Sequence, residues 1–174
     1  MITKRDAQAI KYTEQYKVAR TSTLAMFYPS YRVAARRLTA IAEAGELKRE
    51  RDGWSNEYIY YLKKPKQMRH ALTVTDFYRE FAKQAEIVKF VLEPELGGIR
   101  PDAAIGFTVG GKSRLALLEV ELSNKGFDAE KYARFDWQKH FPLKPEIYIV
   151  TDKNVPKLDY KTLKIGTNLQ FKID

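Results

Sequence analysis

Three carboxylates near the middle of the chain, Asp102, Glu119 and Glu121, are of a type and spacing that can hold a cation or move a proton. The stretch between the first two has Gly110-Gly111 at its centre, a two-residue turn signal. With that turn, Val109 faces Lys112, Asp102 lies opposite Glu119, and Arg100 lies opposite Glu121. A four-residue loop pairs Asp102 with Glu121 instead. Either even-numbered loop leaves all three acids on one sheet face, because side chains alternate with a period of two. The other face then holds Ala103, Ile105, Phe107 and Val109 against Ala116, Leu118, Val120 and Leu122, and it is wholly apolar. Acids crowded on one face repel. A hard cation such as Mg²⁺ or Mn²⁺ held by Asp102 and Glu119 relieves that repulsion. An ion pair with Arg100, Arg114 or a neighbouring lysine relieves it as well.

A second chemistry is written in the cations. The formal net charge is +9, and residues 1–70 hold 15 Lys and Arg against 7 Asp and Glu, whereas the remainder holds 16 against 15. A basic segment joined to a neutral one points to a polyanion-binding module. A basic surface kept for solubility is the alternative. The arginines Arg32, Arg36 and Arg37 lie close together, and Lys48, Arg49 and Arg51 follow shortly after.

The elements that must position these cations are three helices and a hairpin. The spacing predicts a helix from Lys4 to Tyr16 and a short one from Thr23 to Tyr28, with Arg20-Thr21-Ser22 as the turn that caps it. Pro29-Ser30 ends the second helix and caps a third from Tyr31 to Ala44, with Gly45 just beyond. Ala34, Leu38, Ile41 and Ala42 form one apolar stripe on the third helix, which puts Arg32 and Arg36 on the opposite face and Arg37 on its flank. Residues 46–51 and 57–62 read as two strands around Asp52-Gly53, with Trp54 at the turn.

The carboxylates need a different set. Pro65 marks a basic connector. A helix is expected from Val74 to Lys83 with Thr73 as its cap and with Phe77, Phe81 and Ala85 on one side. Strands are expected at Glu86–Leu92, Asp102–Val109 and Arg114–Leu122, then a helix over Asp128–His140 and a strand over Ile147–Thr151. Residues 163–173 read as a last edge hairpin around Gly166-Thr167-Asn168. His70 and His140 lack partners at metal-ligand spacing, and Tyr132, Phe135, Trp137 and Phe141 read as core. The fold class is therefore α+β, with domains at 1–66 and 70–174.

Composition closes off other classes. There is no cysteine, so disulfides, thiolate catalysis and Cys-zinc sites are excluded. No apolar run approaches the ~18 residues of a membrane span, and the first residues lack the apolar core of a secretion signal. A cytoplasmic protein with no membrane partner is expected.

Three helices followed by a basic hairpin, with Leu38…Ile41-Ala-Glu-Ala-Gly45-Glu-Leu47 leading into it, resemble winged helix-turn-helix DNA-binding domains over most of residues 3–64. The resemblance implies that the third helix enters the major groove of double-stranded DNA, its N-terminal half nearest the bases. Ser30, Tyr31, Arg32, Arg36 and Arg37 would then face DNA, and Lys48, Arg49 and Arg51 would lie along phosphates or in the minor groove.

The order α-β-β-β-α-β, with Pro101-Asp102 opening one strand and Glu119-Val120-Glu121 ending the next, resembles the PD-(D/E)XK nuclease fold. That likeness implies Asp102 and Glu119 as metal ligands, with catalysis by these residues and the third motif position. Glu121 occupies the place of that family's lysine; Lys125 or Lys131 is the substitute ammonium, and Glu86 a further ligand. A winged helix followed by Arg100-Pro-Asp-Ala103 and Leu118-Glu-Val-Glu-Leu122 is similar to the replication-relaxation family of plasmid and mobile-element proteins, over roughly residues 5–150. It implies a role in replication, relaxation or transfer of plasmid or phage DNA, beside a relaxase or replication initiator. A metal-dependent endonuclease or nickase, and a repressor whose C-terminal domain forms a homodimer, are the rival expectations.

Overall fold

Capping chemistry sets the first helix in the computed structural model, which describes residues 1–174. Thr3 accepts from the Asp6 amide while Asp6 accepts from the Thr3 amide, a reciprocal box that starts α1 (Lys4–Tyr16). Lys17, with φ at +73°, ends it. The chain is a mixed α+β fold that divides into two compact units, Met1–Arg79 and Glu80–Asp174. The division falls later than the expected 66–70 boundary. The reason is a longer helix: α4 runs over Met68–Ala82, so most of it belongs to the first unit. Thr73, expected as its cap, is interior and donates its hydroxyl to the Arg69 carbonyl, and Ala85 lies past its end.

In the first unit a strand absent from the sequence reading, β1 (Val18–Arg20), follows α1. Three residues are too few for a period-two signal. The second helix starts earlier than expected, as α2 (Thr21–Leu24), and continues as a 3-10 turn at Ala25–Phe27. Ser30 caps α3 (Tyr31–Glu43) through the Val33 amide, as its residue type predicts. Ala34, Leu38 and Ile41 are buried on its inner stripe. The hairpin forms as β2 (Lys48–Arg51) and β3 (Tyr58–Tyr61), with Lys48 opposite Tyr61 and Arg51 opposite Tyr58. β1 pairs with the other side of β3, giving the order β1-β3-β2. Val18, Ile59 and Tyr61 pack with Leu72 of α4.

The second unit is a five-stranded mixed sheet of order β4-β5-β6-β7-β8, with β4 at Glu86–Leu92, β5 at Ala103–Val109, β6 at Lys112–Val120, β7 at Glu146–Val150 and β8 at Thr162–Ile165. The central hairpin has the expected register: Val109 faces Lys112 and Ala103 faces Leu118. Both turn glycines have positive φ, +56° and +75°, the conformation that a two-residue primed turn demands and that L side chains resist. β6, β7 and β8 run parallel, so the chain must cross over between them. The first crossover contains only α5 (Glu130–Ala133) and a 3-10 turn at Trp137–Lys139, in place of the continuous helix expected over Asp128–His140. Asp136, with ψ at +82°, interrupts the helical path. The aromatic spacing that reads as helix is spent on a cluster in which Phe127, Tyr132 and Phe135 bury Leu117, Ile147 and Ile149. On the opposite face Phe81 meets Phe107 edge-on at 4.9 Å and Tyr148 at 5.8 Å. Residues 163–173 do not form the expected hairpin; β8 is a single edge strand beside β7. No helix is long and apolar enough to cross a membrane.

Candidate functional site

Burying one stripe of α3 leaves the other stripe in water. Tyr31, Arg32 and Arg36 are exposed on it, and neither arginine makes an ion pair or hydrogen bond. Lys48 and Arg51 are exposed on β2. The hairpin's cations are held by the Tyr58 ring, with the guanidinium carbons of Arg49 and Arg51 at 4.8 and 4.6 Å from its centroid. Arg49 also donates to the Thr39 hydroxyl at 2.8 Å, which ties β2 to α3 and makes it partly structural. Trp54 stands 76% exposed at the hairpin tip, under the Arg69 guanidinium at 4.9 Å.

Arg37, expected on the DNA-facing flank, turns inward. It donates from Nε to Asp6 at 3.2 Å and forms a second bond to the same carboxylate through its terminal nitrogen. Asp6 is wholly buried and also accepts from the Tyr28 hydroxyl at 3.0 Å. A buried carboxylate must find donors, and Arg37 is one of them.

The expected acidic cluster is only partly assembled. Asp102 lies just before β5 and accepts from the Val120 amide at 2.6 Å. Glu119 is buried, on the face that the first crossover covers. Lys131 of α5 reaches Glu119 with its ammonium at 2.6 Å from Oε1, and the Tyr132 hydroxyl donates to the same oxygen. Burial raises the Glu119 carboxyl above its ordinary range by more than Lys131 and Tyr132 lower it, and the nearby Asp102 charge adds to the rise. The Tyr132 hydroxyl is pushed up too, by burial first and then by Glu119.

The other expected members are elsewhere. Glu121 accepts from the Ser123 amide at 2.7 Å within its own turn. Lys125 is exposed and bonds only through its backbone, to Ser123 Oγ. Arg100 is directed to Glu95 and Glu93 at 3.4 and 3.9 Å, not to Glu121, because pairing stops at Ala103. Arg114 pairs with Glu146 at 2.6 Å. Glu86 opposes Thr108, at the other end of β5 from Asp102.

No match was found among protein-family models, curated proteins or solved structures.

No group of three or more His, Asp or Glu side chains converges anywhere in the chain. Glu119 Oε1 already holds an ammonium and a phenol, and a divalent cation would have to displace the former. In this arrangement Lys131 and Tyr132 occupy Glu119 Oε1, the oxygen that a cation shared with Asp102 would have to win from them. In the structure the Glu119 charge is met by an ion pair with Lys131.

This predicts an asymmetry. Lys131→Met leaves Glu119 buried with no counter-charge and should cost about 2 kcal/mol at neutral pH. Glu119→Gln removes the desolvated charge and should cost under about 1 kcal/mol. Because the carboxyl is raised in the fold, the Lys131→Met deficit should shrink as pH falls through that raised value. Thermal unfolding monitored by circular dichroism between pH 4.5 and 8 checks both signs.

The sequence reading passed over the partner hydroxyl. Tyr132 reads as core from its type and spacing, and its ring is buried. Its adjacency to Lys131 was the available signal, since successive residues at the start of a short helix can both reach a nearby strand end.

Proposed function

We propose that this chain binds double-stranded DNA through its first unit as a winged helix-turn-helix, with α3 as the recognition helix and the β2–β3 hairpin as the wing. One observation carries the reading: Arg32 and Arg36 lie exposed and unpaired on the N-terminal half of a 13-residue helix whose opposite stripe is buried. Unpaired surface cations lose little on meeting phosphate and release its counterions. Lys48 and Arg51 on the adjacent strand extend the same basic surface. Ser30 serves in the cap of α3, and Tyr31 next to it is half exposed at the end of the helix nearest the bases.

We further propose a role in replication, relaxation or transfer of plasmid or phage DNA, a reading supported only by the likeness of the motifs at Arg100–Ala103 and Leu118–Leu122 to the replication-relaxation family. In this reading the second unit is a nuclease-like α/β domain that does not cut. Supercoiled plasmid incubated with the protein and Mn²⁺ should stay supercoiled; nicking that disappears in Asp102→Asn would make the chain an endonuclease instead.

The decisive test is binding of a labelled duplex by fluorescence anisotropy over a KCl series. Arg32→Ala with Arg36→Ala should lower affinity by on the order of 10²-fold and flatten the salt slope by about 2. Unchanged affinity and slope would end the recognition-helix assignment. Arg37→Ala is unsuitable as a probe, because it strips a buried carboxylate of its partner.

A further inference from the structure

A cleft of about 410 Å³ opens beside α5 in the second unit. This is within the size range of small-ligand sites. Its walls are flat: Phe135, Trp137 and Tyr160 line it beside Tyr132. Tyr160 is braced by its hydroxyl, which donates to the Phe135 carbonyl at 3.3 Å, and its ring lies edge-on to Tyr132 at 6.0 Å. Trp137 is only partly buried, so its indole remains accessible from the cleft.

Two cations stand at the same opening, with the carboxylates of Glu130 and Asp159 in the same lining. Lys144 lies 4.9 Å from the Tyr160 centroid and is held there by Asp159 at 3.3 Å. Lys157 is exposed beside it and makes no ion pair. Aromatic planes recognise a flat heteroaromatic ring, and cations along the rim recognise a phosphate attached to it. A lipid or an apolar peptide would leave these charges without a function.

We propose that this cleft binds a nucleotide, its base stacked against Trp137 and Tyr160 and its phosphate between Lys144 and Lys157. The occupant is either a free nucleotide or an unpaired nucleotide within a single strand. The site is separate from the duplex-binding surface of the first unit and does not depend on it.

Tryptophan fluorescence reads it directly. The chain has two tryptophans, so the full-length Trp54→Phe protein leaves Trp137 as the only reporter. AMP, CMP and UMP should each quench it saturably, while adenosine, which lacks the phosphate, should bind on the order of tenfold more weakly. Lys144→Ala with Lys157→Ala should weaken AMP by a similar factor and leave adenosine unchanged. Tyr160→Ala should weaken both by on the order of tenfold. Circular dichroism verifies that each variant is folded, and the lysine pair lies on the surface where substitution is tolerated. Tighter binding of oligo(dT) than of any mononucleotide assigns the cleft to single strands, and the reverse order assigns it to free nucleotides. Absence of saturable quenching by mononucleotides and oligo(dT) alike overturns the proposal. So does AMP binding that the lysine substitutions leave unaltered.

Discussion

Replacing Arg20 by alanine should destabilise the first unit by about 3–5 kcal/mol, the largest single effect expected in this chain. Arg20 ends β1 and is only 14% exposed at its side chain. It donates to Asp52 from Nε at 3.0 Å and from a terminal nitrogen at 2.8 Å, and its other terminal nitrogen pairs with Asp76. Both carboxylates are almost fully buried. Asp52 in turn accepts from the Trp54 and Ser55 amides, each at 3.2 Å, which shapes the hairpin tip. Asp76 on α4 also takes the Thr23 hydroxyl at 2.9 Å. One guanidinium thus joins the hairpin tip to α4, and its removal leaves Asp52 with no cation and Asp76 with only the longer pair to Arg79 at 3.5 Å. Arg20→Lys should recover only part of the loss, since an ammonium cannot present the planar fork that bridges two carboxylates. Urea denaturation followed by circular dichroism measures the effect. The double variant Arg20→Ala with Asp76→Asn should be less unstable than the sum of its parts, because the two changes share one interaction. Strict additivity would show that the bridge contributes nothing. On the proposed duplex-binding function, affinity for DNA should also fall in Arg20→Ala, as the hairpin tip loses its anchor while the exposed cations of α3 and β2 remain.

Asp6→Asn should cost about 3 kcal/mol and change how the protein responds to acid. Burial pushes the Asp6 carboxyl up, but Arg37, Thr3 and Tyr28 together outweigh it and hold the group well below the ordinary carboxylate range. A carboxyl lowered in the fold contributes stability that is complete above the unfolded value near 3.8 and is lost as pH falls through the folded one. Native stability should therefore decline below about pH 4. The Asp6→Asn variant should start lower and lose less over the same interval. Parallel acid-unfolding curves for the two proteins would contradict the assignment. Asp6→Asn also breaks the reciprocal cap with Thr3, so Thr3→Ala provides the comparison: it should cost about 1 kcal/mol without altering the acid slope as much.

Sequence and structure agree where the controlling physics is local. The hairpin register followed from two glycines and the alternation of small and apolar residues on either side of them. Both glycines adopt positive φ, as that turn requires. Ser30 announced the start of α3, and Gly45 follows its end with φ at +81°. The disagreements occur where local preference was overruled. Residues 128–140 carry helical spacing, yet the crossover must place Tyr132 and Phe135 over the sheet, and a turn, a break and a 3-10 turn achieve that. β1 is too short to announce itself and exists because β3 offers it a free edge.

What the sequence determined by itself is the set of strands and helices whose signals lie within a few residues, the parity that puts Asp102 and Glu119 on one face, and the concentration of cations in the first 70 residues. What only the tertiary structure decided is which charges are spent. The sequence places Arg36 on the exposed face and Arg37 on its flank, but only the fold buries Asp6 beside Arg37 and leaves Arg36 in water. Glu119 had several cations within reach along the chain, and the crossover selected Lys131. The physical reason is desolvation. A buried charge must be paired, and the identity of its partner depends on where core packing carries segments 12, 31 or 56 residues away, from Glu119 to Lys131, Asp6 to Arg37 and Arg20 to Asp76.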